Sequence, residues 1–74
     1  MNDLEIKIRD EFIKLGQALK LAGLVYNGAE SKIEIQSGNV KLNGEVDTRR
    51  GAKLYGGEVV EFNGSVFKVI RDED

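Results

Sequence analysis

The chain has 74 residues, the size of one small domain, with 11 Lys or Arg against 13 Asp or Glu and a formal charge of −2. It has no cysteine and no histidine, which excludes disulfides, thiolate metal sites, a thiol nucleophile and an imidazole base. The charge is unevenly spread: seven cations accompany four acids from Lys14 to Lys53, and four accompany nine elsewhere. Local potential decides where a polyanion docks, so the negative total does not exclude one.

In chain order, Leu4, Ile6 and Ile8 alternate with Glu5, Lys7 and Arg9. Period two predicts a half-buried strand, and its mixed polar face suits a sheet edge. Phe12 and Ile13 follow as core anchors. From Leu15 the period changes: Leu15, Ala18, Leu19 and Ala22 fall on one helical face, with Gly23 as the stop. Gly16 is an unfavourable residue near that helix start.

Asn27-Gly28-Ala29-Glu30 has the spacing of a capping box. A second helix is expected from Gly28 to Ser37, with Gly28, Ser31 and Ile35 inward and Ile33 packed at the flank. Lys32 to Gln36 also alternates with period two, so a strand is the competing reading there. Val40-Lys41-Leu42, Asn43-Gly44 and Glu45-Val46 read as a hairpin, because both central positions of a two-residue turn need positive φ. A polar connection, Thr48 to Ala52, follows, with Gly51 expected in an unusual backbone conformation. Gly56-Gly57 marks a turn, Val59 to Phe62 a strand, Asn63-Gly64 a second hairpin turn, and Val66 to Ile70 a last strand. Residues 71–74 read as a frayed acidic tail. The order is that of a single α+β domain spanning 1–74, with no linker or repeat.

No carboxylate sits in an apolar run that would raise its pKa for acid work, and no serine has a base or a Gly-x-Ser-x-Gly context. Enzymatic activity, cofactors and metals are therefore not expected. No apolar run is long enough to span a bilayer, and no signal peptide opens the chain, so a cytoplasmic setting is expected. Six cations stand out: Lys20 and Lys32 on the two helices, Lys41 on the outer face of the hairpin, and Arg49, Arg50 and Lys53 beyond it. If the helices pack together against the hairpin, these would form one surface suited to successive phosphates of a structured nucleic acid. The competing reading is a solvated surface, with Arg49 or Arg50 paired to Glu45 or Asp47. Tyr26 and Tyr55 fit a half-buried packing role better than base stacking.

Three segments in register resemble the S-four RNA-binding domain, the module named after protein four of the small ribosomal subunit. They are LGQALKLAGLV at Leu15 to Val25, SKIEIQSGNVKLNGE at Ser31 to Glu45, and TRRGAKLYGGEVVEF at Thr48 to Phe62. The similarity is greatest to stand-alone bacterial members of the YaaA and YbcJ type.

The resemblance implies an αL motif, two short helices and a hairpin over about 12–62, packed on a small, mainly antiparallel sheet. It implies helix at Lys32 to Gln36. It also implies contact with structured RNA, ribosomal RNA or ribosomal particles foremost, through Lys20, Lys32, Lys41, Arg49, Arg50 and Lys53, by a free-standing, non-enzymatic monomer. One departure is Tyr26-Asn27-Gly28, where many members carry a basic residue before the second helix. The rival readings are a protein-interaction module that has lost RNA and a duplex-DNA binder.

Overall fold

A computed structural model describes residues 3–72. In chain order run β1 (Asp3–Ile8), β2 (Ile13–Lys14), α1 (Leu15–Leu21), α2 (Gly28–Gln36), β3 (Val40–Leu42), β4 (Glu45–Val46), β5 (Lys53–Leu54), β6 (Val59–Phe62) and β7 (Ser65–Arg71). Among the described residues, five strands form one sheet in the order β1-β7-β6-β3-β4, and β2 pairs with β5. The α+β reading and the two-helix, hairpin and sheet arrangement hold. Lys32 to Gln36 is helix, not strand.

Turn chemistry sets the antiparallel part. Asn43 and Asn63 have φ of 53°, and Gly44 and Gly64 have 88° and 83°, so both hairpins turn through left-handed pairs. Asn43 also ties its turn to the neighbouring strand. Its N–H donates to Val59 C=O at 2.7 Å, and its side-chain oxygen accepts from Val59 N–H at 2.9 Å. β1 runs parallel to β7, with Ile6 beside Val69. Parallel neighbours need a long connection, and here it is the whole helix and hairpin unit. β1 lies at the sheet edge, as its mixed polar face predicts.

Both helices lie on one face of this sheet. Leu15, Ala18 and Leu19 of α1 and Ile35 of α2 are fully buried against Val40, Leu54, Val60, Phe67 and Val69. Each large side chain so buried contributes about 1.5–3 kcal/mol. Helices of seven and nine residues are too short to persist alone, so this packing is what holds them. The opposite sheet face stays open to solvent.

Several expectations are corrected. Ile33 is 61% exposed rather than packed at the flank, since Ser31 and Ile35 alone carry the inner stripe of α2. Gly28 begins that helix at the surface and is exposed. Gly51 does not use a left-handed φ. Arg71 is the last residue of β7, and Asp72 N–H donates to Ile8 C=O at 2.8 Å, so the strand ladder extends into the supposed tail. Residues 73 and 74 of that tail lie outside the described residues.

Candidate nucleic-acid interface

The first N–H groups of a helix have no acceptor within it. At α1 a distant loop supplies them. Leu15 N–H donates to Ala52 C=O at 2.8 Å and Gly16 N–H to Arg50 C=O at 3.1 Å. Lys14 N–H donates to the Gln17 side-chain oxygen at 3.3 Å. The loop therefore caps α1, and the cap fixes Arg50 beside the helix.

α2 closes on the same point. Ser31, 1% exposed, donates its hydroxyl to Gly16 C=O at 2.9 Å. Gly16 permits this approach: a Cβ there would lie 3.0 Å from Arg50 Cγ and 3.2 Å from Ser31 Oγ, closer than comfortable contact. The glycine that weakens the helix on propensity is thus required by packing.

Around this junction lies an open groove of about 300 Å³ bounded by Lys14, Gln17, Lys20, Gly28, Ser31 and Arg50. Among the described residues no carboxylate lines it. Lys32 follows Gly28 by one helical turn and shares its side of α2.

The β2–β5 pair widens the basic surface. Ile13 lies opposite Leu54, which is buried, and Lys14 lies opposite Lys53. The two lysines therefore share the outward face, a like-charge juxtaposition that costs stability. The Lys53 ammonium sits 4.8 Å from the centroid of the Phe12 ring, a contact of about 0.5–1 kcal/mol when exposed. Phe12 is in turn tilted against Tyr55, with ring centroids 5.9 Å apart.

The expected six-cation surface is only partly assembled. Lys20 and Arg50 line the groove, Lys53 adjoins it through Lys14, and Lys32 stands on its α2 side. Arg49 is engaged elsewhere. Its Nη2 lies 2.8 Å from Asp47 Oδ2 and its Nε donates to Oδ1 at 3.1 Å, while its backbone N–H donates to the same Oδ1 at 2.9 Å. The guanidinium hydrogen bond holds the Asp47 carboxyl below its usual pKa, and Asp47 in turn raises that of Arg49.

Lys41 does not join the groove. It alternates with Val40 and Leu42, whose side the helices cover, so it projects from the open sheet face beside Glu61 and Val46. Lys14, which spacing did not single out, takes a central place because β2 pairs with a strand far along the chain. Tyr26 is 93% exposed, contrary to the packing role expected of it. Its N–H donates to Glu30 Oε1 at 2.6 Å and Asn27 Oδ1 accepts from Glu30 N–H at 2.9 Å, so the cap of α2 orders the backbone and leaves the ring free.

The S4 domain family model matches residues 6–70. The chain belongs to the S4 domain family. It is 48% identical over 59 residues to a Bacillus subtilis (strain 168) protein named "Probable ribosome maturation protein RlbA", covering 80% of this chain and 83% of that one. It is 40% identical over 58 residues to YbcJ of Escherichia coli (strain K12), covering 78% and 83%. The solution structure of E. coli YbcJ, described as revealing an αL motif involved in RNA-binding, superposes with a TM-score of 0.73. That match has 34% identity and covers 95% of this chain and 90% of the other.

Proposed function

We propose that this S4-family protein binds structured RNA, ribosomal RNA foremost, by seating phosphates along Lys14, Lys20, Lys32, Arg50 and Lys53. The observation that carries the reading is the opposition of Lys14 and Lys53 beside a groove that no acid among the described residues lines. Such a pair costs folding stability and makes sense where an anion neutralises it. Arg50 would engage a phosphate bidentately, and the lysines would act as point charges.

Shape and phosphate contacts dominate this mode of recognition, as suits A-form RNA, whose deep groove side chains cannot read. RNA-binding in YbcJ and the ribosome maturation name of RlbA support the choice of ligand. The protein acts as a binder rather than a catalyst, as a monomer in the cytoplasm. The lack of histidine and cysteine supports the first of these.

Affinity for a structured ribosomal RNA fragment, measured across a salt series, tests the proposal. About five engaged phosphates predict a slope of log affinity against log salt of roughly −3.5 to −4.5. Arg50→Glu with Lys53→Glu should abolish binding while circular dichroism stays native. A salt-independent affinity, or full binding by the folded double variant, would overturn it.

A further inference from the structure

On the other flank of α1 lies a second open concavity, of about 480 Å³, which shares Gln17 and Lys20 with the basic groove. Its floor is apolar: Phe12 and Ile13 are half-buried, and Leu21 leaves 60% of its surface exposed. Its rim carries Arg9 and Lys20 against one acid, Asp10. Arg9 meets Asp72 only loosely, at 3.6 Å, with its own side chain 80% exposed. Arg9 follows β1 directly, outside the two helices and the Arg50–Gly51 loop that form the groove.

We propose that this concavity receives one unpaired nucleotide of the same RNA, its base on Phe12, Ile13 and Leu21 and its phosphate between Arg9 and Lys20. This rests on the RNA reading above. Three features favour a nucleotide over an apolar peptide. The rim is cationic, the floor offers an aromatic and aliphatic platform of the kind bases stack on, and the site runs into the groove through Lys20. A strand leaving a duplex in the groove could place its next base here without a break in phosphate contacts. Side chains read RNA best at such unstacked positions.

Two RNA hairpins, identical except for one unpaired adenosine beside the stem, test the proposal by competition binding. Wild type should prefer the bulged hairpin by roughly fivefold or more, the lower end of what one stacked base contributes. Leu21→Ser alters an exposed residue and should remove that preference while changing affinity for the fully paired hairpin less than about twofold. Methyl NMR should show Leu21 and Ile13 shifting with the bulged RNA only. Equal binding of both hairpins by wild type would overturn this inference and leave the RNA reading standing. So would a preference that survives Leu21→Ser. Leu21 methyls that ignore both RNAs would also overturn it. Binding of neither hairpin would overturn the RNA reading itself, and this one with it.

Discussion

On the open face of the sheet, lysines stand opposite acids: Lys41 opposite Glu61, and Lys68 opposite Glu5. Beside the groove, Lys14 stands opposite Lys53, and no acid among the described residues lines the walls. Opposed unlike charges add roughly 0.2–1 kcal/mol to a strand pair, and opposed like charges subtract a similar amount. The sheet face is therefore arranged as a soluble surface is, with its charges paid off locally. The groove gives up stability to keep its cations together. A count of lysines does not separate the two surfaces; the partner across each ladder does.

The largest expected effect removes the junction that builds the groove. Gly16→Val places side-chain atoms where Arg50 Cγ and Ser31 Oγ already stand within 3.2 Å of a bare Cβ. Overpacking of this kind costs about 1–3 kcal/mol. The denaturation midpoint should fall, and RNA affinity should fall with it, because the capping loop that carries Arg50 is pushed off α1. A Gly16→Val protein with unchanged midpoint and affinity would show that the close approach is not needed. By contrast, Gly44 and Gly64, at the hairpin turns of the sheet, have nothing within 4 Å of a Cβ, so only their positive φ constrains them.

Next come two charge reversals with crossed outcomes. Lys14→Glu turns a like-charge pair into an unlike one and puts a carboxylate at the N-terminus of α1. Stability should rise by roughly 0.2–1 kcal/mol, and RNA affinity should fall by about tenfold or more. Lys41→Glu faces Glu61 instead. Stability should fall by a similar amount, and RNA affinity should stay within about twofold. Thermal melts and binding on the same preparations check both. If Lys41→Glu weakens binding as much as Lys14→Glu does, the ligand also reaches the open sheet face.

The crossed pair marks where the residues could and could not be read in advance. Hairpins were legible because Asn-Gly chemistry is local: the φ values at Asn43 and Asn63 follow from the residue types. The α1 stripe was legible for the same reason, since Leu15, Ala18 and Leu19 repeat with the helix itself. β2 and β5 were not, because two residues carry no period and their pairing joins positions about forty apart in the chain. Lys14 was therefore overlooked, although Lys20, Arg50 and Lys53 could be named from spacing. Lys41 was correctly read as outward on its hairpin. What spacing could not tell is that the helices cover the hairpin's inner side, so that outward means away from them. Residue type assigns Tyr26 to packing and helical angle puts Ile33 at the flank of α2, but the exposure of both depends on a tertiary arrangement their neighbours do not encode.

Two adjacent arginines sharpen the comparison at smaller scale. Arg50 lines the groove and Arg49 is forked onto Asp47. Arg50→Ala should flatten the salt slope by about 0.7–0.9, the loss of one phosphate contact. Arg49→Ala should leave the slope nearly unchanged. Equal flattening by both variants would mean that Arg49 leaves Asp47 when RNA binds.

The smallest effect concerns that fork itself. Arg49 hydrogen bonding lowers the Asp47 carboxyl from its usual value, and the Asp47 side chain is only 11% exposed. A carboxylate with a depressed folded-state pKa contributes stability above its unfolded value, near pH 4. That contribution is lost as pH falls through the folded-state value. Wild-type stability should therefore decline more between about pH 5 and pH 2 than that of Asp47→Asn, which has no carboxylate to protonate. The difference should be slight, because Arg49 is exposed and salt screens exposed pairs. At neutral pH Asp47→Asn frees the Arg49 guanidinium from its fork. If Arg49 is a cation held in reserve, the salt slope of this variant should steepen by up to about 0.9. A slope equal to wild type would confine Arg49 to bracing the 47–49 turn, with Arg50 alone of the two facing the ligand.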